Sequence, residues 1–371
     1  MSARSESDYT VTPEPRLDAH VTGELPLVSI VIPCYNYGHF LTSCVHSVLS
    51  QPGVRTRILI IDDASDDDSA MIATGLAEQN AQVEVIVHDV NKGAIATYNE
   101  GLFEWATGDY VTLLSADDEL PPGSLERSVH LMAAHPTVGM VYGGIDEFGE
   151  NSVARPTPMR KPTEIIYPGR KWLSKRCREA VNVVPTPGTV LRMDVQLNVG
   201  GYNPVLTHTG DFDMWLRVAL VSDIGYVGGP PQGRYRVHGA SMSDAVYRDK
   251  LEDVRQRKMV FDRLFSDYAD QLVQARIDAR PTYARIAGQP LWWACRSYEK
   301  GAPDPIEINK WVAFAEAAYP QASTLPAYRA LRRRQRLGAA FCHRTQVFVG
   351  TAIVRRLLNM YWWFAWKRVG G

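Results

Sequence analysis

The sequence has no pair of cysteines at C-x-x-C spacing. Its five cysteines, Cys34, Cys44, Cys177, Cys295 and Cys342, are odd in number and widely scattered. That argues against a zinc knuckle or a disulfide framework and for a reducing cytosol. No charged-then-apolar leader opens the chain, so secretion is not expected. No run of about 18 uninterrupted apolar residues is present to span a bilayer. The formal net charge is only −1, so no global basic field points to nucleic acid. Two glycine-rich turns are missing as well. The first apolar run leads into Pro33-Cys-Tyr-Asn36 rather than G-x-G-x-x-G, and G-x-x-x-x-G-K-[ST] does not occur. These absences argue against a Rossmann dehydrogenase and against a P-loop kinase or ATPase.

What is present is an alternation. With 371 residues, 45% of them hydrophobic and 22% charged, the chain has room for one large soluble domain plus a smaller one, or two medium ones. Residues 1 to about 25 are polar and proline-containing and read as a mobile tail. Strands are expected at Leu27–Ile32, Arg57–Ile61, Val83–Val87, Tyr110–Leu114 and Val138–Tyr142. Helical spacing falls between them at Asn36–Ser50, Ser69–Gln79, Ala94–Thr107 and from Pro121-Pro122 through His130. Such alternation implies right-handed βαβ units and a mainly parallel α/β sheet. Past about residue 150 it fades. Residues 150–170 suit a long loop, Val181–Arg192 an irregular strand region, Asp211–Val221 a helix and Gly233–His238 a short strand or turn. The chain from about Ala245 reads as mostly helical.

Three apolar runs end in polar residues: Ser29-Ile-Val-Ile-Pro-Cys-Tyr-Asn36, Ile60-Ile-Asp-Asp-Ala-Ser-Asp67 and Leu113-Leu-Ser-Ala-Asp-Asp-Glu-Leu120. In an open α/β sheet, ligands bind at the carboxyl ends of the strands. Asp117 and Asp118 are adjacent carboxylates that repel unless a cation or solvent lies between them. Mg2+ or Mn2+ takes one or two carboxylates plus phosphate and water; a solvated turn or helix cap is the plainer reading. Asp63 can accept hydrogen bonds from a nucleoside, while Asp66–Asp68 suit the cap of the next helix. In Gly210-Asp-Phe-Asp-Met-Trp-Leu-Arg217, Asp213 and Arg217 are i,i+4 neighbours able to pair on the surface. Asp211 at the helix start either caps it or projects as a base. Arg236 and His238 can each donate to a phosphate oxygen, or His238 is structural.

Taken in order, five motifs resemble the family 2 glycosyltransferases with the GT-A fold: SIVIPCYN, IIDDASDD, NKGAIATYNEGL at Asn91–Leu102, LLSADDEL, and GDFDMWLR followed by YRVHGASMS. The match covers about Leu27 to Ser243. The resemblance implies a Rossmann-like sheet flanked by helices, a nucleotide-sugar donor (most often a UDP-sugar), a divalent metal and inversion at the anomeric carbon. It implies a catalytic domain over 26–245, with a nucleotide-sugar half to about 145 and an acceptor half from 146, and then a helical region over 246–371. By position, Pro33 and Tyr35 would line the nucleoside pocket and Asp63 would contact the base. Lys92 and Asn99 would approach the donor, Asp117 would meet the ribose or sugar, and Asp118 would coordinate Mn2+ or Mg2+. Asp211 would be the catalytic base, Arg217 would support the helix or a phosphate, and His238 would meet the diphosphate, with Arg236 beside it. Two positions depart from the pattern: Ser115 stands at the first place of Asp-x-Asp-Asp, and Gly210 replaces the Glu of the Glu-Asp pair. A sugar-nucleotide nucleotidyltransferase has a related core but would carry a glycine-rich, Arg-containing loop where PCYNYGHF stands. A nucleotide-binding relative without catalysis is the third reading.

The end of the chain is unlike the rest. Leu331-Arg-Arg-Arg-Gln-Arg336 is basic, and Tyr361-Trp-Trp-Phe-Ala-Trp-Lys-Arg368 mixes aromatics with cations. Residues 331–371 suit either packing against the catalytic domain, packing across a homodimer, or the headgroup zone of a bilayer. The last would place a cytoplasmic protein on the inner face of the cell membrane, near a lipid-linked acceptor.

Overall fold

The computed structural model describes residues 24–149, 162–239 and 249–348, together with Thr10–Val11 and scattered positions between 350 and 370. The expected tail over 1–25, residues 150–161, the end of the motif match at Ser243 and the aromatic stretch after Tyr361 lie almost wholly outside the described residues. The chain divides into two compact units, one of residues 1–172, 183–241 and 367–371, the other of residues 173–182 and 242–366.

The first unit is built on a nine-stranded sheet. Its strands are β1 (Thr10–Val11), β2 (Leu27–Cys34), β3 (Arg55–Asp62), β4 (Val83–Val87), β5 (Tyr110–Leu113), β6 (Val138–Gly143), β8 (Thr163–Tyr167), β9 (Val190–Arg192) and β10 (Asp223–Gly228), in the spatial order β1-β8-β10-β6-β9-β5-β2-β3-β4. Only β8 and β9 run against their neighbours; the other adjacent pairs are parallel. β2 and β3 are apolar on both faces because helices cover both. Val28, Ile30, Val31, Ile32, Ile58, Leu59, Ile60 and Ile61 are all buried, each contributing about 1.5–3 kcal/mol by leaving water. Parallel pairing of β5, β2 and β3 brings their carboxyl ends, and so the three polar strand ends, to one edge.

The helices of this unit are α1 (Gly38–Leu49), α2 (Ser69–Gln79), α3 (Ala94–Glu100), α4 (Ser124–Ala134), α6 (Met193–Val199) and α7 (Gly210–Val221), while α5 (Gly169–Glu179) runs across the division between units. α3 continues as a π-turn over Gly101–Trp105, closed by the Ala106 amide on the Gly101 carbonyl at 2.9 Å. A two-stranded parallel ribbon, β7 (Ile145–Gly149) with β11 (Gly233–Val237), lies apart from the main sheet.

Past residue 150 the structure differs from the sequence expectation. Part of the expected loop is β8, where only Ile165 and Tyr167 are fully buried, so its apolar signal is short. The expected strand region Val181–Arg192 yields only Val190–Arg192, because Pro185 and Pro187 cannot donate to a ladder.

The second unit is helical: α8 (Lys250–Asp267), α9 (Ala269–Gln274), α10 (Arg280–Glu299), α11 (Pro305–Ala318), α12 (Pro326–Leu337) and α13 (Ala339–Thr345). α10 is its centre, packing against α11, α12 and α13. Two of its helices begin with aspartate caps: Asp249 accepts from the Leu251 amide at 2.9 Å, and Asp304 from the Ile306 amide at 2.9 Å. All five cysteines are buried free thiols.

Candidate active site

The loops leaving β2 and β3 lock together. Asn36, in the left-handed region at φ 59°, donates its amide to Ser65 Oγ at 2.9 Å and accepts from the Asp66 amide at 2.8 Å; asparagine tolerates that conformation better than most residues. Of the three aspartates expected to cap α2, Asp67 makes the contact, accepting from the Ser69 amide at 2.9 Å and from Gly38 at 3.3 Å. Asp68, at the cap position itself, makes no side-chain bond. Pro33, next to last in β2, is half-buried, and Tyr35, just past the strand, is 46% exposed.

Asp63 follows β3 and is bonded on both carboxylate oxygens. Oδ1 accepts from the Lys92 amide at 2.8 Å and faces His88 Nδ1 at 2.8 Å; Oδ2 accepts from the Gly93 amide at 2.9 Å. Burial opposes its charge, but His88 and the two amides together hold the carboxyl below the usual range. His88 Nε2 in turn faces Glu100 Oε2 at 3.1 Å, which also takes Lys92 Nζ at 2.8 Å. So Asp63 draws the Asn91-Lys92-Gly93 turn onto the sheet edge, and Lys92 leans on the helix that follows. Sequence reasoning missed His88 and Glu100, since neither lies in a strand-end motif. Asn99 uses its amide on Tyr202, donating to its carbonyl at 2.9 Å and accepting from its amide at 2.8 Å.

The acidic turn after β5 is delivered into a basic and aromatic frame. The Asp118 amide donates to the Ser115 carbonyl at 3.0 Å, so Ser115 closes the turn through its backbone. Strand β11 runs alongside: the Arg236 amide donates to Asp118 Oδ1 at 3.0 Å, and Arg236 Nε to the Asp117 carbonyl at 2.8 Å. Its Nη2 reaches Glu119 Oε1 at 3.0 Å, while Arg234 pairs with Glu119 Oε2. The Arg236 guanidinium lies 4.5 Å from the Phe40 ring centre and 4.3 Å from that of Phe148. His238 Nε2 meets Asp117 Oδ2 at 3.0 Å, its ring edge-on to Tyr37 with centroids 5.4 Å apart. Arg236 and His238, taken from sequence as phosphate donors, thus first of all hold the acidic turn. Glu119, Arg234, Phe40, Phe148 and Tyr37 were not singled out by sequence.

Asp118 carries the strain of this arrangement. Burial and then the Asp117 charge push its carboxyl well above the ordinary range, and the Arg236 amide and guanidinium only partly offset them. Asp117 Oδ1 and Asp118 Oδ2 accept no hydrogen bond among the described residues. Two adjacent carboxylate oxygens with spare acceptor capacity and a buried charge suit a small divalent cation. Among the described residues no group of three or more His, Cys, Asp or Glu forms a metal cage. Such an ion would therefore take its remaining ligands from phosphate and water.

The third acid enters from α7. Asp211 Oδ1 accepts from the Phe212 amide at 2.7 Å, and Thr186 Oγ1 stands 3.5 Å from Oδ2. Thr186 is brought there by Gly188, in the left-handed region at φ 76°. A Cβ on Gly188 would lie 2.0 Å from the Gln232 carbonyl oxygen, so this loop can lie against the start of β11 only through glycine. Gly210, which replaces the expected Glu, has Tyr202 3.2 Å and Ile95 3.5 Å from where a Cβ would stand, leaving a larger side chain little room. Tyr202 packs edge-on to Tyr98 with centroids 5.5 Å apart.

The charges of two of these pieces are felt at Tyr98. Burial around its hydroxyl, then the Asp211 charge, then Asp117, push it up to about 12. Burial and then Asp117 likewise push Tyr37 up to about 12. Acids from the β5 end and the α7 start therefore act on one phenol, carried by the helix whose leading turn Asp63 holds.

The Asp213–Arg217 pair, expected on the surface, is buried. Arg217 Nε meets Asp213 Oδ2 at 2.8 Å, Nη2 donates to the Gly201 carbonyl at 2.8 Å, and Nη1 donates to the Val199 carbonyl. It fastens the α6–α7 connection. Arg217→Ala strands a buried carboxylate and two carbonyls, and urea unfolding is expected to read about 3–5 kcal/mol of lost stability. A loss below about 1 kcal/mol would mean the pair is open to water.

The chain is similar to known proteins in both sequence and fold. Residues 29–192 match the model of Glycosyl transferase family 2. A relative from Escherichia coli, the UDP-Glc:alpha-D-GlcNAc-diphosphoundecaprenol beta-1,3-glucosyltransferase WfgD, is 24% identical over 60% of this chain and 82% of its own. Four further relatives are spanned over 42% to 81% of their own length. Among solved structures, Staphylococcus aureus TarS 1–349 in complex with UDP-GlcNAc aligns with a TM-score of 0.59 at 14% identity, covering 88% of this chain and 92% of that one. The mannosyltransferase PcManGT from Pyrobaculum calidifontis, in complex with GDP-Man and Mn2+, aligns at 0.50 with 17% identity over 95% of this chain and 91% of that one. Family 2 is thus matched over residues 29–192, and the chain has the GT-A fold of these solved structures.

Proposed function

We propose that this chain is a family 2 glycosyltransferase that moves a sugar from a UDP-sugar to a hydroxyl of a glycan, lipid-linked or other glycoconjugate acceptor, with inversion. The reading is carried by the acids placed at the sheet edge: Asp63 anchors the Asn91–Gly93 turn, Asp117 and Asp118 follow β5 beside Arg236 and His238, and Asp211 opens α7 with its charge felt at the buried Tyr98 hydroxyl. A single in-line displacement needs a base on one side of the anomeric carbon and charge stabilisation on the other. Asp211, at the mouth of α7, takes the proton of the attacking hydroxyl. The edge made by Pro33, Tyr35 and Asp63 receives the nucleoside. Asp117 and Asp118 would hold a Mn2+ or Mg2+, which when bound stabilises the negative charge growing on the leaving diphosphate. Arg236 keeps both carboxylates turned to that place, and His238 orients Asp117. TarS and PcManGT, in complex with UDP-GlcNAc and with GDP-Man and Mn2+, support a nucleotide-sugar donor and a metal. WfgD, named for a diphosphoundecaprenol-linked substrate, supports a lipid-linked acceptor and a role in building cell-envelope glycans.

A thermal-shift screen of nucleotide sugars with and without manganese tests the reading. A UDP-sugar is expected to raise Tm, more so with manganese. No shift with any nucleotide under either condition would count against it. His88→Ala removes the side chain that steadies Asp63 and is expected to raise the donor KM roughly 10-fold, as loss of a charge-assisted hydrogen bond does, with kcat nearly kept. A fall in kcat at unchanged KM would show that His88 serves the chemistry rather than the donor pocket.

A further inference from the structure

The second unit carries a charge arrangement that sugar transfer does not use. Of the chain's 40 Lys and Arg, ten fall in residues 321–371, and none of its 41 Asp and Glu does. A near-neutral protein has therefore gathered its excess positive charge at one end. Helix α12 shows how that charge is displayed. Arg329, Arg332, Arg333 and Arg336, spaced i, i+3, i+4, i+7, share one face and are exposed. Ala327, Leu331 and Arg334 form the opposite, buried face, where Arg334 is neutralised by Glu299 at 2.7 Å. Among the described residues, none of the four exposed arginines pairs with a carboxylate. The helix dipole accounts for Arg336 in the last turn but not for Arg329, which sits near the N-terminal end, where a cation is disfavoured. Four like charges on one face repel, and a fold keeps them at a cost unless something anionic lies outside.

We infer that this face of α12 docks on an anionic bilayer surface. The neighbouring side chains favour a membrane over a nucleic acid. Leu337, Phe341 and Val347 are 38%, 46% and 53% exposed, and a reader of phosphates alone gains nothing from them. Arginines beside exposed apolar groups suit the headgroup and upper acyl region of a bilayer. No helix among the described residues is long and apolar enough to cross a membrane, so the contact is peripheral. Tyr142 Oη donates to the Gly370 carbonyl, so Gly370 lies against the sheet of the first unit. The inference stands apart from the donor reading.

The test is co-sedimentation of the full chain with phosphatidylcholine vesicles, plain or with about a third phosphatidylglycerol, at roughly 0.1 M and 0.5 M salt. The native chain is expected to pellet with anionic vesicles at low salt, and less at high salt. The combined Arg329→Gln, Arg332→Gln, Arg333→Gln, Arg336→Gln variant is expected to lose this partition by on the order of 100-fold or more, while the Arg→Lys counterpart keeps it. The thermal shift given by a UDP-sugar should be the same in all three, which separates this test from the donor reading. Equal pelleting of the Gln variant, equal pelleting on neutral vesicles, or tighter binding to a short RNA than to vesicles would each overturn the inference. If the Gln variant fails to fold, the salt and lipid dependence of the native chain decides alone.

Discussion

Asp211→Asn is expected to lower transfer by roughly 10²- to 10⁴-fold, the usual worth of a general base, and to leave UDP binding within about twofold. The exchange is close to isosteric. Asparagine keeps an oxygen to accept the Phe212 amide, and the looser Thr186 contact at 3.5 Å tolerates an amide. What is removed is the ability to take a proton. If Asp211 acts on the acceptor side, as proposed, the nucleoside edge proposed around Asp63 should not notice. Single-turnover transfer with a saturating donor, beside calorimetric titration of UDP, reads the two effects separately. Equal losses in both would show that Asp211 only shapes the start of α7. Gly210 sharpens the test: with no carboxylate at that position, no neighbouring residue of an acidic pair can stand in as base, and the Asp211→Asn variant should show no substantial residual activity of that origin.

Much of the first unit was legible because its signals are local. Val28–Ile32 and Ile58–Ile61 are continuous apolar runs, as strands covered on both faces must be. The polar residues after them mark the sheet edge, because a chain leaving the core must satisfy its backbone in turns. That reasoning places Asp63, Asp117 and Asp118 at strand ends from sequence alone. What it could not give are partners distant in the chain. Arg236 and Asp118 lie 118 residues apart, and no periodicity records that β11 will run beside the acidic turn. For the same reason Arg236 and His238 read as phosphate donors before they could be seen bracing carboxylates. The buried Asp213–Arg217 pair failed differently: i,i+4 spacing fixes the contact but not its depth, and depth came from the Val199 and Gly201 carbonyls at and just past the end of α6, a stretch that sequence left undescribed. His88 was invisible because a histidine ending a short strand has many uses, and only Asp63 and Glu100 on its two sides select one.

Asp118→Asn should do two things of opposite sign. In the metal-free chain it removes a buried negative charge set against Asp117, where burial and repulsion exceed the help from Arg236. The variant keeps an oxygen to accept the Arg236 amide, so its Tm is expected to rise, on the order of 2–4 °C for each kcal/mol gained. With manganese present, the native chain should gain Tm and the variant should not, and manganese-dependent transfer should fall about 10²- to 10³-fold, as when one electrostatic stabiliser of a transition state is lost. Asp117→Asn is the contrasting case. Its carboxylate meets His238 Nε2 at 3.0 Å, so that variant weakens a buried hydrogen bond and should gain little or no stability. The physical basis is that a catalytic site keeps a charge its fold would rather be without, because substrate and cation complete it. Should Asp118→Asn destabilise the chain and leave its manganese response intact, the acidic pair belongs to the turn and not to a cation.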